Sequence, residues 1–348
     1  MLASCRRRGL RWSWQADLTN EDDARVMAGS GHRLVDRTAM PFGAWLSRVG
    51  DFVQLMKPRP MAVVVFTALA GLIAAPNSVA LDAGIVAMLC IALGGGGSAA
   101  LNMWFERDID ARMVRTANRP IVAGRIAAGE ALTFAVLAMV TSVVVMTVAV
   151  NPVAGLLLAL TIMFYGVIYT MWLKRVTALN VVIGGGLASL LTPLTGYAAA
   201  AGEVTIEAVA LFAFLVPWTA PHVWSQALVR ASDYAQAGVP MMPVVAGSAR
   251  TRQLIVAFTV CHAIMALLPF ALGTTSMLWG AVAAIGGAVM VAKSVTLMRI
   301  ADSAMERREA WAFYRMNSFY VVALFAALIV ERAMGFEGAA TLVAGVAG

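Results

Sequence analysis

Little of this chain is charged, and it has few residues that could bind a metal through sulfur or imidazole. Asp, Glu, Lys and Arg together make up 13% of its 348 residues, and there are three histidines and three cysteines. Cys5, Cys90 and Cys261 have no metal-ligand spacing, so neither a disulfide framework nor a thiolate metal site is expected. Cys90 and Cys261 fall in apolar runs, where a free thiol behaves as a small hydrophobe. No strand precedes the glycine runs Gly94–Gly97 and Gly184–Gly186, which excludes a phosphate-cradling loop; within helices such glycines permit close packing or make room for a bulky substrate. Apolar residues run continuously rather than alternating, which argues against a transmembrane barrel.

What is present is hydrophobic: 61% of residues, with a mean hydropathy of +0.80. A soluble domain of this size has no use for so much apolar surface, so the chain reads as an all-α polytopic membrane protein. Nine membrane helices are predicted near 60–76, 83–101, 131–150, 152–172, 179–200, 205–227, 252–272, 275–297 and 311–330. The net charge of +7 does not point to nucleic acid, because the basic residues segregate. They cluster in alternate loops, and the loops near 77–82, 151, 201–204 and 273–275 contain no Lys or Arg. By the positive-inside rule the N-terminus and the basic loops are expected to be cytoplasmic, as in a bacterial inner-membrane protein. Residues 1–50 read as a cytoplasmic tail, 51–331 as the membrane domain, and 332–348 as a short non-cytoplasmic tail. No apolar stretch follows Arg6-Arg7-Arg8, so a signal peptide is not expected.

The chemistry concentrates where the second helix ends. Asn102, Glu106 and Asp110 are spaced i, i+4 and i+8, which on a helix stacks all three on one face. Arg115 and Arg119 follow closely. Oxygen ligands on one face suit Mg²⁺ held jointly by protein and a phosphate substrate. Four helices later, the run from Pro221 to Pro243 contains His222, Trp224, Arg230, Ser232 and Asp233. That offset suggests an internal repeat with two acidic helix ends facing each other across a bundle. Carboxylates alone would repel a diphosphate, so divalent cations must bridge the two, with Arg and Lys on the outer oxygens. An allylic diphosphate is a leaving group, and an apolar trough between helices would hold its prenyl tail. The expected reaction class is prenyl transfer at the cytoplasmic face. Plainer readings stand beside these. Lys57, Arg59, Lys174 and the arginines are also ordinary positive-inside residues, Tyr169 and Trp224 also suit interfacial packing, and His222 also suits a structural histidine.

The ordered set of motifs resembles the UbiA-type intramembrane prenyltransferases, and within them the haem-farnesylating branch. It comprises Leu55-Met-Lys57-Pro58-Arg59, Asn102-Met-Trp-Phe-Glu106-Arg-Asp108-Ile-Asp110, Arg115-Thr-Ala-Asn118-Arg119-Pro120, Tyr169-Thr-Met-Trp-Leu-Lys174-Arg175, Pro221-His222-Val-Trp224 and Asp233-Tyr234 through Gly238-Val-Pro240-Met-Met-Pro243. The resemblance implies a nine-helix bundle with a cytoplasm-facing site. It implies Mg²⁺ bound by Asn102, Glu106, Asp110 and Asp233, with Lys174 and Tyr169 completing the catalytic set. It places Arg59, Arg115, Arg119, His222, Trp224 and Arg230 on the substrates, farnesyl diphosphate and haem B. Haem B is then a substrate rather than a fixed cofactor, and haem A synthase or oxidase-assembly proteins are expected partners. Two residues depart from the pattern: Glu106 replaces the usual Asp, and Ser232 replaces the first of a paired Asp. Another aromatic prenyl acceptor, a transporter and a non-catalytic homologue are the competing readings. A transporter would place its charges near mid-membrane, whereas here nearly all lie at helix ends.

Overall fold

A computed structural model of the chain describes residues 42–76, 79–300 and 302–335; the remainder of the two expected tails lies outside the described residues. Every regular element among the described residues is helical. In chain order they are α1 (Phe42–Leu55), α2 (Pro58–Ala74), α3 (Leu81–Phe105), α4 (Arg107–Asp110), α5 (Ala128–Ala149), α6 (Pro152–Val176), α7 (Val181–Ala201), α8 (Ile206–Val229), α9 (Ala231–Gln236), α10 (Met242–Val245), α11 (Gly247–Ala271), α12 (Met277–Arg299) and α13 (Ser303–Ala333). Eight of these are long and apolar enough to span a membrane, and α1 with α2 forms a pair bent by 56° that makes a ninth crossing if taken as one span. The protein is therefore a multi-pass membrane protein.

The turns at one end are short and carry their own caps. Asn151 accepts a hydrogen bond from Ala154 N at 2.8 Å with Pro152 at the first helical position, and Thr205 accepts from Ala208 N at 3.2 Å. At the same end the buried Glu331 carboxylate, reaching from α13, accepts from Trp279 N at 2.7 Å and Ser276 Oγ at 2.5 Å, which closes the N-terminus of α12. Apart from Arg332, which donates to the Thr274 carbonyl at 3.2 Å, the basic residues and the longer loops after α3 and α8 lie toward the opposite ends of the helices.

Packing is closest where small residues face each other. α3 lies against α5: a side chain at Gly97 would meet Met139 Cγ at 2.9 Å and the Ala135 carbonyl at 3.0 Å. α2 lies against α7, where Gly71 faces the Pro193 carbonyl and Gly196 faces the Ala68 carbonyl. Without a hydrophobic driving force between helices in lipid, such backbone approach supplies the dispersion contact that holds them. α8 packs on both α11 and α13, and α12 on α11 and α13.

Three features differ from the sequence expectation. α1 begins at Phe42, inside the stretch assigned to a tail. It is tied down by Arg125, which donates to Asp51 at 2.8 Å and Gln54 at 2.9 Å, and by Phe52 against Phe134. α13 starts at Ser303, eight residues before the apolar run, because Asp302 caps it and its polar first turns are supported by an Arg252–Glu306 ion pair at 2.5 Å. Finally, α6 is wound as a π-helix over Met163–Leu173, as is the start of α7 over Val181–Gly185. Wider turns of this kind concentrate at functional sites.

Candidate active site

α3 unwinds for one residue at Glu106 and resumes as α4. The i→i−4 ladder survives the break, with Glu106 N donating to the Asn102 carbonyl at 2.9 Å and Asp110 N to the Glu106 carbonyl at 2.8 Å. Asn102, Glu106 and Asp110 therefore stay stacked on one face, and each is only 3% exposed. Each is paired with a cation. Lys57 Nζ donates to Asn102 Oδ1 at 2.6 Å, Lys174 Nζ to Glu106 Oε1 at 2.5 Å, and Arg119 to the Asp110 carboxylate. Asn102 Nδ2 in turn donates to Thr170 Oγ1 at 3.1 Å, and Thr170 donates to the Tyr165 carbonyl five residues back. That last contact shows how the π-wound segment of α6 braces the acidic face. Asp108 points elsewhere, half exposed and held by Arg175 at 2.8 Å.

Lys57 reaches this position through the one left-handed non-glycine residue among those described, at φ 52°. A side chain in this region costs about 1 kcal/mol or more, and Pro58 already disfavours the helical alternative. The bond to Asn102 offsets that cost. The sequence leaves Lys57 open as a membrane anchor or a site residue, and its bond to Asn102 places it in the site.

These groups line one end of a cavity of about 650 Å³ that continues between α2, α3, α6, α7, α8 and α13. Arg59, Arg115 and Arg119 line the charged end, with Tyr165, Tyr169 and Tyr234. Tyr165 and Tyr169 stack at 5.8 Å, and Lys174 lies 5.9 Å from the Tyr169 ring centre. Deeper in, the wall is Ile91, Leu158, Leu215 and Val321 with a few threonines. His222, Trp218, Tyr314 and Ser318 form a separate aromatic and polar section of the wall. A large apolar hollow with a few converging polar groups is the usual form of a ligand site.

The second loop meets the first, but not through its acid. Ile109 and Met113 pack against Ala237, Val239 and Met241, with Tyr169 and Tyr234 alongside. α9 turns Tyr234 to the cavity, and Asp233, one residue earlier and so about 100° around the helix, is off the wall. The expected fourth oxygen ligand is not brought to the other three here. Trp224 is likewise not a cavity residue. It is fully buried behind α8 with its ring 5.2 Å from Phe258. Arg230 is also off the wall, its guanidinium 5.7 Å from the Trp311 ring.

Metal fit can be judged from the donor set. Among the described residues no three His, Cys, Asp or Glu side chains come together as a complete metal cage. Asn102, Glu106 and Asp110 supply one neutral and two anionic oxygens on a single wall. That suits an ion such as Mg²⁺, which takes one or two carboxylates and completes its shell with phosphate oxygens and water. Burial pushes Asp110 above the ordinary carboxylate value, and Arg119 offsets only part of this. At Glu106 the burial is outweighed by Lys174 and Lys57, which hold it below the usual value. On acidification Asp110 therefore takes up a proton first, and a protonated carboxyl is lost as a ligand. The half-saturating Mg²⁺ concentration should rise as pH falls through the Asp110 transition, about tenfold per pH unit. Mg²⁺ titrations of activity at a series of pH values check this, and a flat response across the acid range would remove Asp110 from the ligand set.

A membrane-embedded helical bundle with a buried acidic face, ringed by cations and opening into an apolar chamber, has the parts needed to bind a diphosphate that carries an apolar tail. The model of the UbiA prenyltransferase family matches residues 63–319, and the chain belongs to that family. It is 46% identical over 287 residues to the protoheme IX farnesyltransferase of Methylobacterium radiotolerans, covering 82% of this chain and 90% of that protein. It is 45% identical over 300 residues to the protein of the same name in Rhodopseudomonas palustris, covering 86% and 96%. Two solved structures share the fold. One is digeranylgeranylglyceryl phosphate synthase, with a TM-score of 0.68 at 15% identity over 82% of this chain and 99% of that one. The other is a UbiA homologue from Archaeoglobus fulgidus bound to DMAPP and Mg²⁺, with a TM-score of 0.62 at 16% identity over 80% and 99%.

Proposed function

We propose that the protein transfers the farnesyl group of farnesyl diphosphate to a vinyl group of haem B, giving haem O and diphosphate. The observation that carries this reading is the triple pairing of Asn102–Lys57, Glu106–Lys174 and Asp110–Arg119 at one end of the apolar cavity. Three cations sit within reach of the place a diphosphate would occupy, and each can turn from its carboxylate or amide partner to a phosphate oxygen. Asn102, Glu106 and Asp110 would hold Mg²⁺ together with the diphosphate. Bound there, the metal neutralises the charge that develops on the leaving group. Arg59 and Arg115 on the same wall add further donors for the outer oxygens. Tyr165 and Tyr169 present stacked rings beside this end, where an allylic carbon turning cationic would meet their faces. The apolar wall below takes the isoprenoid chain and excludes water from the cation until the acceptor has reacted.

The acceptor follows from the relatives, both named for protoheme IX farnesylation at near 46% identity over most of the chain. The basic loops face the cytoplasm in this reading, so the N-terminus is cytoplasmic, the membrane is a bacterial inner membrane, and the product is handed to haem A-forming or oxidase-assembly proteins.

Purified protein incubated with haem B, farnesyl diphosphate and Mg²⁺ should yield a farnesylated hydroxyethyl haem resolvable by mass. Chelating the metal with EDTA should stop turnover and added Mg²⁺ should restore it. Prenylation of a quinone-ring precursor but not of haem B would sink the acceptor assignment.

A further inference from the structure

Farnesyl addition to a vinyl group leaves one step without an assigned residue. When the terminal vinyl carbon bonds to farnesyl C1 and the C–O bond to diphosphate breaks, the vinyl π pair is consumed and the carbon next to the porphyrin ring becomes cationic. Water adds there, the new C–O bond forms, and one proton must leave. Glu106 and Asp110 are engaged by Lys174 and Arg119 and are assigned to the metal. Lys57 and Lys174 are held by Asn102 and Glu106, and the arginines of the wall are hydrogen-bond donors only.

Among the described residues one imidazole lines the cavity, that of His222. Its ring lies between Trp218, one turn earlier on α8, at 4.4 Å and Tyr314 on α13 at 4.6 Å. Its Nδ1 is 3.5 Å from Ser318 Oγ. Ser318 has a single hydroxyl hydrogen, and that oxygen lies 2.9 Å from the Tyr314 carbonyl, which can only accept. The hydroxyl hydrogen is therefore spent on the carbonyl, and Ser318 Oγ accepts from the imidazole. Nδ1 then carries the ring hydrogen and Nε2 the free lone pair. His262 differs: it is fully buried off this cavity, with Nδ1 3.0 Å from the Phe214 carbonyl.

We propose that His222 is the catalytic base that takes the proton from the water completing the addition, with Ser318 as the residue that positions its tautomer. The inference rests on the haem-farnesylation reading above.

The test compares wild type, His222→Gln and Ser318→Ala, each with Mg²⁺, farnesyl diphosphate and haem B. Diphosphate release, mass-resolved porphyrin products and the absorption spectrum of bound haem B are recorded together. In His222→Gln the spectrum should be unchanged and the hydroxylated adduct should fall about 100-fold, with an adduct one water lighter taking its place. Ser318→Ala should show the same product shift with a smaller loss, about tenfold. Hydroxylated product within a few-fold of wild type in His222→Gln, with unchanged partition, would give the proton to the departing diphosphate and overturn the proposal. An altered haem spectrum, with activity lost in proportion to haem binding, would make His222 an iron ligand and overturn it equally. Wild type that forms no haem adduct at all defeats the underlying haem-farnesylation reading instead.

Discussion

Replacing Asp110 by alanine should reduce haem farnesylation by about 1,000-fold or more, to the limit of detection in a mass-resolved assay. Asp110 is 3% exposed and is one of two carboxylates on the acidic wall. Its loss removes an anionic metal ligand and leaves Arg119 without its partner in a part-buried site. The second effect is separable. Asp110→Asn keeps the shape and a hydrogen-bond acceptor for Arg119, so it should fold as wild type while losing nearly as much turnover. Glu106→Gln should follow it, because Lys174 loses its 2.5 Å ion-pair partner and the metal loses its other carboxylate. Asp233→Asn should cost far less, since Asp233 is off the cavity wall while Tyr234 is on it. If Asp233→Asn were as inactive as Asp110→Asn, the second loop would have to swing its acid inward on substrate binding. The assignment of the charge to one wall would then be wrong.

That asymmetry bears on the two departures from the family pattern. Ser232 stands where a second loop carboxylate is usual, but it is exposed and its loop contributes Tyr234 and apolar contacts to the site rather than a ligand. The missing charge is therefore missing from a place the cavity does not use here. Glu106 is the more consequential departure. Its longer arm is what Lys174, projecting from the end of the π-wound segment, meets at 2.5 Å.

The spans could be read from sequence because lipid demands near 20 apolar residues per crossing and because charge collects at one set of helix ends. Asn102, Glu106 and Asp110 were legible for a related reason. A spacing of four survives even a one-residue break such as that at Glu106, since the hydrogen-bond ladder continues through it. Where the helices start was less legible. Ser303 to Glu309 and Gly247 to Arg252 are helical but polar, with Arg252 and Glu306 paired across α11 and α13, so hydropathy is blind to them. The π-winding over Met163–Leu173 leaves no mark in composition. It coincides with a close tertiary approach, Gly184 lying so near Tyr169 that a side chain there would meet Tyr169 Cβ at 2.6 Å. Trp224 is off the cavity wall for a simple geometric reason. It is two residues from His222, and on a helix that rotates it about 200° to the far side, onto Phe258. Trp218, Tyr314 and Ser318 carried no motif, and they reach His222 by i+4 stacking on two helices that the sequence does not pair.

Gly196→Val should be the most destabilising single change in the membrane core. A Cβ at Gly196 would fall on the Ala68 carbonyl, and one at Gly71, on the facing helix, would fall on the Pro193 carbonyl. The atoms in the way are backbone, so no side-chain rotation relieves either contact, and α2 must move away from α7. Moving it forfeits the reciprocal close approach along the whole interface, which in lipid has no hydrophobic term to replace it. Overpacking of this kind costs about 3 kcal/mol, and in a chain of this size lowers Tm by roughly 4 °C. The functional cost comes through Lys57 and Arg59, which α2 carries to the charged end of the cavity. Displacing the helix withdraws Lys57 from Asn102, so the apparent affinity for farnesyl diphosphate should weaken before the fold is lost. Thermal unfolding in detergent together with the KM for farnesyl diphosphate below Tm measures both. By contrast, Gly129→Ala, where nothing lies within 4 Å, should leave Tm and KM at the wild-type values. A Gly196→Val protein as stable as wild type would mean that α2 and α7 are not packed backbone to backbone.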